Sequence, residues 1–272
     1  MSVQSFIPAV WESKLITNFR KRSIAEVITT KPAQIKGNKV IFNRTGAVSV
    51  KDYNGVVAWD EVNTTPIELT FDQKKYFALT LDDVDAAQAA GDVLDTHTSE
   101  AAYNLQETVD SYILGLYTEA DADNVIGTDA EPVYLDRVNT YDKIVDLGTK
   151  LSKKKVPMTD RFVVVNAEVL GLLSKDDRFT RNPVVLENGV VEGAKINGFT
   201  VVVSEELHEV DGNYKILALH KSALGHGKQI DDLEALRLQN AFADGVRGLM
   251  VYCGGAIRPE ALAVLTAGIA NQ

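Results

Sequence analysis

The sequence predicts an α+β fold organised around one long helix. Three observations carry this. Residues 80–118 repeat apolar side chains at helical spacing, through Val84, Ala87, Leu94, Ala101, Leu105, Val109, Ile113 and Leu116. Residues 33–81 alternate apolar and polar and are broken by Gly, Asn, Asp and Pro, the chemistry of strands and turns. Residues 125–225 switch between strand-like and helix-like runs, as a compact α/β unit does.

The chain opens with FIPAVWESKLITNFRKRSIAEVIT, a short amphipathic arm spanning 1–32. Pro8 suits a first helical turn, and Trp11, Leu15, Ile16 and Phe19 share one face that must be buried somewhere, on the chain's own domain or on a partner subunit. In the extended segment 33–78, Val40 and Phe42 fall on one face, and Asn54–Gly55 marks a tight turn. TPIELTFDQKKYFALTL reads as one long returning strand with Ile67, Leu69 and Phe71 in phase. The result is a long hairpin with a polar middle. Such a hairpin is marginal alone in water, so it packs on a neighbouring subunit or on its own domain.

The long helix is expected to start at Thr80, with Asp83 three residues on in a loose capping box. At 1.5 Å per residue such a helix gives a rod of roughly 55 Å. A Gly- and Asp-bearing linker follows, EADADNVIGTDAEPVY. TYDKIVDLGTKLSKK is an amphipathic helix, and RFVVVNAEVLGLLSKDDRF a buried strand followed by a helix capped by Asn166. A hairpin turning at Asn197–Gly198 comes next, then the strand YKILALHKSAL, and the tail returns as strands through RPEALAVLTAG. The expected divisions are the arm 1–32, the hairpin 33–78, the spine region 79–124, the α/β module 125–225 and the returning strands 226–272.

Charge is unevenly placed. The chain carries 28 basic and 38 acidic side chains, a net −10. Residues 1–45 hold Lys14, Arg20, Lys21, Arg22, Lys31, Lys36, Lys39 and Arg44 against Glu12 and Glu26, which is +6 and leaves −16 on the rest. A generic nucleic-acid binder is thereby disfavoured. A basic arm on an acidic body points to a polyanion or an acidic partner surface for the arm. Cys253 is the sole cysteine and sits in the apolar run VYCGGAI, as a small buried hydrophobe does. The N-terminus lacks a signal-peptide pattern and no apolar run is long enough to span a bilayer, so a reducing cytoplasm is the expected setting.

Catalytic and metal motifs are missing from the sequence. His97, His208, His220 and His226 show no ligand spacing, and no G-x-S-x-G or G-x-G-x-x-G is present. GHGK at 225–228 fails as a phosphate loop, because Ser222 stands where the first Gly is needed and Gln229 replaces Ser/Thr; it reads as a turn. Asp121, Asp123 and Asn124 fail as a calcium loop, because Val125 occupies a ligand position. No enzyme activity and no cofactor is expected.

The order of elements resembles the major capsid protein of tailed bacteriophages, the Hong Kong 97-type capsid fold. The residues that carry the resemblance are the arm FIPAVWESKLITNFRKRSIAEVIT, the loop return TPIELTFDQKKYFALTLDDVDAAQA running into the spine helix, and the late strands ALHKSALGHGKQIDDLEALR and MVYCGGAIRPEALAVLTA. The resemblance implies an N-terminal arm, an extended β-hairpin loop, a long spine helix, a peripheral domain and an α/β axial domain. It implies self-assembly as hexamers and pentamers into an icosahedral shell enclosing double-stranded DNA, in a virion built in a host bacterial cytoplasm. Separate scaffolding protein, portal and decoration protein are the implied further partners, with no membrane and no sequence-specific DNA binding. On this reading Trp11, Leu15, Phe19, Arg20, Lys21 and Arg22 contact another subunit through the arm. Val48, Lys51, Tyr53 and Trp59 do so through the loop, and Leu94, Leu105, Val109 and Ile113 form the spine core. Two other readings stay open: an encapsulin-type nanocompartment shell, and an α/β enzyme whose site is not identified.

Overall fold

The computed structural model describes residues 23–45, 52–53, 55, 64–82, 93–176, 178–179, 184–185, 190–237 and 243–270. In chain order the described helices are α1 (Ile24–Ile28), α2 (Val93–Leu114), α3 (Thr140–Lys153) and α4 (Ala167–Ser174). The strands are β1 (Gln34–Lys36), β2 (Lys39–Thr45), β3 (Thr64–Thr70), β4 (Gln73–Asp82), β5 (Val125–Ile126), β6 (Val133–Leu135), β7 (Arg161–Val165) and β8 (Val184–Val185). They continue as β9 (Val190–Ile196), β10 (Phe199–Val203), β11 (Glu209–Val210), β12 (Asn213–His220), β13 (Leu224–Arg237), β14 (Ala243–Ala256) and β15 (Leu262–Ile269).

The described strands form three sheets. The hairpin stem is β1–β2–β3, antiparallel, with Lys39 opposite Thr70 at one end and Thr45 opposite Thr64 at the other. A long three-stranded antiparallel sheet runs β13–β14–β4. The largest sheet is mixed, in the order β5–β15–β12–β7–β10–β9–β8, with β11 beside β12 and β6 beside β15. β7 and β10 pair in parallel, as the strand–helix–hairpin order of the sequence requires, since α4 crosses between them. Asn166 caps α4 by accepting a hydrogen bond from the Val169 N–H at 3.0 Å. The turn at Asn197–Gly198 has φ of 47° and 87°, the double-positive geometry that Asn-Gly favours.

The β13–β14–β4 sheet is covered on both faces. Met250 and Tyr252 of β14, with Phe77 and Leu79 of β4, face the main core with α2. Val251 and Cys253 face the hairpin stem, where they meet Val40, Phe42, Phe71 and Ile257 in a second cluster. The stem reaches the sheet because β13 lacks side chains beneath it. A Cβ on Gly225 would lie 2.6 Å from Phe42 Cζ, and one on Gly227 would lie 2.7 Å from Val40 Cγ1. GHGK is therefore strand, not the turn read from its glycines: the glycines make room for the stem. On the opposite face, a Cβ on Gly254 would come within 2.6 Å of Ile113 Cδ1, so α2 lies directly on the backbone of β14.

The hairpin stem thus packs on its own chain. The long returning strand expected over 65–81 is two strands. The Phe71 N–H donates to the Asn38 carbonyl at 3.0 Å and its ring is buried, so the chain turns there and β4 enters a different sheet. Thr80 does not cap a helix. It sits in β4 opposite Gly245, because the period-two alternation of Phe77, Leu79 and Leu81 outweighs the helix-forming composition that follows. The described helix runs 22 residues from Val93, about 33 Å; residues 83–92, within the expected helix, lie outside the described residues. It tightens into a 3₁₀ turn over Gly115–Glu119. β4 runs across the expected boundary at 78/79, and β13 across that at 225/226. Part of the expected linker, Val125–Ile126 and Val133–Leu135, is strand paired in parallel with β15.

Two cations are buried in the large sheet. Arg161, wholly buried, donates to the carbonyls of Gly148, Val156 and Pro157 and to Ser152 Oγ. Lys215 reaches Asp129 and, at 3.1 Å, Thr266 Oγ1, with Tyr117 beneath it, and so ties the 127–131 turn to β12 and β15.

Candidate assembly surfaces

Ser23, the first described residue after the arm, is buried and caps α1 by accepting from the Glu26 N–H at 3.3 Å. Asp110, on the buried side of α2, holds this point. Its carboxylate accepts from the Ala25 N–H at 2.9 Å and the Ile24 N–H at 3.3 Å. Gln106 Nε2 donates to it at 3.4 Å. Burial pushes the Asp110 carboxyl up to about 6; the amide bonds oppose this, and Glu206 adds to it. Neither sequence periodicity nor a motif singles out Asp110, because a carboxylate one position past Val109 looks like the polar edge of an amphipathic helix.

The other side of α1 meets β13. Glu26 pairs with Lys228, and His226 lies beside them, buried, with no hydrogen-bond partner at Nε2 among the described residues. The His226 amide donates to the Thr30 carbonyl at 3.3 Å, joining the chain after α1 to the sheet. Burial pushes the His226 imidazole down to about 4, with Lys228 adding to the effect and Glu26 opposing it. An unfolded chain protonates this residue near 6.5, so its contribution is intact above that pH and is lost as pH falls toward 4, by up to about 3 kcal/mol. Asp110 acts in the opposite sense between about 4 and 6, because its folded form holds a proton more tightly than the unfolded one. The two partly cancel in the wild type. His226→Leu removes one of them. The variant is expected to lose less stability than wild type between pH 6.5 and 4.5, as read from urea midpoints across that range. Parallel curves for the two proteins would contradict the assignment.

The surface that remains exposed is informative. Tyr76 is 79% exposed on β4, on the face of the sheet that carries the stem. Its neighbours Lys74 and Lys75 are also exposed. Tyr53, in the hairpin tip, is 75% exposed. Val48, Lys51 and Trp59 lie outside the described residues, as do all six arm positions, Trp11, Leu15, Phe19, Arg20, Lys21 and Arg22. Leu105, Val109 and Ile113 are buried on one stripe of α2, with Ala101 one turn before them. Leu94 lies in the helix, but its side chain is outside what is described. Asp121 and Asp123 are bridged by Lys154 Nζ at 3.2 and 2.8 Å, so an ammonium fills the place that a calcium loop would give to metal. Among the described residues, no cluster of three His, Cys, Asp or Glu side chains is placed to hold a metal ion. No described helix is long and apolar enough to cross a membrane.

The comparisons fit this geometry. Residues 65–265 match the family model described as phage capsid protein. A structure from Mycobacterium phage Che8 is 29% identical, with a TM-score of 0.63, covering 85% of each chain. The capsid of Ralstonia phage GP4 has a TM-score of 0.68 at 10% identity, covering 91% of each chain. A virus-like particle from Pyrococcus furiosus has a TM-score of 0.58 at 14% identity, covering 97% of this chain and 100% of that one. Among curated proteins none matches. The family match spans the returning hairpin strand, α2, the large sheet and the strands that come back beside α2. On that basis the chain belongs to the phage capsid protein family, and its fold is the Hong Kong 97-type capsid fold of tailed bacteriophages.

Proposed function

We propose that this capsid protein is the major shell subunit, assembling as hexamers and pentamers into a closed icosahedral particle around double-stranded DNA. The observation that carries the reading is the family match over 65–265 on a fold shared with phage capsids. The exposed aromatics at the hairpin tip and on β4 support it, since large apolar side chains left in water by one subunit gain burial from another. The arm and the hairpin tip make contacts between subunits. A scaffolding protein, a portal and a decoration protein are the further partners, and assembly takes place in the bacterial host cytoplasm. The protein acts by assembly rather than by catalysis.

Electron microscopy of the purified, expressed chain tests this. Ring capsomers or closed shells with five- and six-fold vertices are the expected result; a monodisperse monomer under all assembly conditions would refute it. An encapsulin-type compartment is the second reading, favoured by the likeness to the Pyrococcus furiosus particle, which at 14% identity concerns the fold alone. The contents of particles purified from their native source separate the two: DNA for a virion, an enzyme cargo for a compartment.

A further inference from the structure

The β13–β14–β4 sheet has an open edge. β4 is its outermost strand, ten residues long, and among the described residues nothing pairs with its outer side. Tyr76 stands opposite Leu249 and Lys74 opposite Val251, so both side chains leave the face that carries the hairpin stem. Lys75 shares the phase of Phe77 and leaves the other face. The two lysines therefore straddle the edge, with the Tyr76 ring, 79% exposed, beside them. Neither lysine takes part in an ion pair among the described residues. Lysines at a sheet edge discourage the addition of a further strand. Two ammonium groups, a phenol and unpaired backbone N–H groups instead fit a surface that brings carboxylates, which are pure acceptors.

The same chain carries such a surface in its large sheet. Glu205, Glu209 and Asp211 lie between β10 and β12, and Glu168 is in the first turn of α4. Glu205 accepts from the Ala167 N–H at 2.7 Å, which brings Glu168 and the 205–211 segment together. Glu209 stands opposite Tyr214 in the β11–β12 ladder, and the chain turns at Asp211–Gly212. All four carboxylates are exposed, and none is ion-paired among the described residues. Other carboxylates are spent within the subunit: Asp121 and Asp123 on Lys154, Asp142 on Arg178. We propose that the Lys74–Tyr76 edge of β4 docks on this acidic edge of a second copy of the chain. The proposal deepens the shell reading and rests on it. The two surfaces differ, so the contact is heterologous and repeats head to tail, as closed rings require. Double-stranded DNA fits the edge less well, since two lysines with Asp72 close by are set in residues 46–272, whose net charge is −16.

The test reads self-association of the full chain by sedimentation velocity, with microscopy scoring shells separately. One variant is Lys74→Glu with Lys75→Glu, the other Glu168→Lys with Glu209→Lys. All four positions are exposed, so the unassembled subunits are expected to melt within about 4 °C of wild type. At low salt each variant is expected to need about tenfold more protein to associate, because like charges then face each other across the contact. Association of the wild type is expected to weaken as salt rises. Combining the four substitutions exchanges the charges across the contact and restores association. Tyr76→Ala weakens it at every salt concentration. A combined variant that associates no better than its parents overturns the proposal, as does normal association of the Lys74/Lys75 variant. If that variant associates normally but no longer shifts linear duplex DNA on a gel, the edge belongs to nucleic acid and the proposal is overturned. Charge exchange that rescues association of a chain which never closes shells would refute the shell reading and leave this contact standing. Shells formed alike by wild type and both variants would do the reverse.

Discussion

Arg161→Ala is expected to destabilise the subunit by about 4 kcal/mol, because it orphans several buried acceptors and opens a cavity. The side chain is wholly buried and no carboxylate accompanies it among its hydrogen-bond partners. Its guanidinium is held at 2.6 Å by the Val156 carbonyl, 2.7 Å by Pro157, and 3.2 Å by Gly148 and Ser152 Oγ. These acceptors belong to the last turns of α3 and the loop that leaves it. Gly148 and Ser152 lie in the last two turns of α3, near the negative end of its dipole, and Val156 and Pro157 add loop carbonyls; these oriented dipoles compensate the buried charge. Burial pushes the guanidinium pKa down, yet arginine stays protonated, so the charge remains and the carbonyls must serve it. Arg161→Lys is expected to fall between the two, since one ammonium cannot span acceptors arranged around a planar fork. Urea denaturation checks this, with the midpoint falling and the slope unchanged. A loss for Arg161→Ala under 1 kcal/mol would show that the loop relaxes and that the acceptors find water.

How much of this was legible in the sequence depends on the scale of the signal. The spine stripe was readable because Ala101, Leu105, Val109 and Ile113 repeat at four-residue intervals, and all are buried. The Asn166 cap and the Asn197–Gly198 turn were readable because each depends on the chemistry of one or two adjacent residues. The helix start was misplaced because the sequence from Thr80 onward is rich in Ala and Asp, while β14 supplies the partner that keeps 73–82 extended. Tertiary pairing of this kind leaves no local trace. GHGK was misread for a related reason. A glycine that makes room for a distant Phe42 is indistinguishable in sequence from a glycine that turns the chain. Asp110, Gln106 and Arg161 were missed because a buried polar residue is defined by what faces it, and those partners lie 85, 4 and 13 residues away. Of the assembly residues, the spine positions could be placed by periodicity. The arm and loop positions rest on family likeness, and of these Tyr53 alone falls among the described residues.

Replacing residues 46–63 with Asn-Gly is expected to leave a folded subunit that forms no shells. The stem makes this a clean deletion. Thr45 stands opposite Thr64 at the end of the β2–β3 ladder, so a two-residue Asn-Gly turn closes it without a change of register. Val40, Phe42 and Phe71 remain seated on β13 and β14, and the cluster they form involves none of the removed residues. Folding stability is therefore expected to change by no more than about 1 kcal/mol, because shortening a loop alters its closure entropy only slightly. Circular dichroism should match wild type apart from the removed segment. Assembly is different. The tip carries Val48, Tyr53 and Trp59, and Tyr53 is left in water by its own subunit. Aromatic anchors of this kind dominate interface energy at about 2 kcal/mol or more each. On the proposed shell, every subunit would lose the same contact with its neighbour, and the deficit would repeat around each ring and between rings. Closed particles of wild-type diameter from the deletion variant would mean that the tip is ornamental and that the contacts holding the shell lie elsewhere.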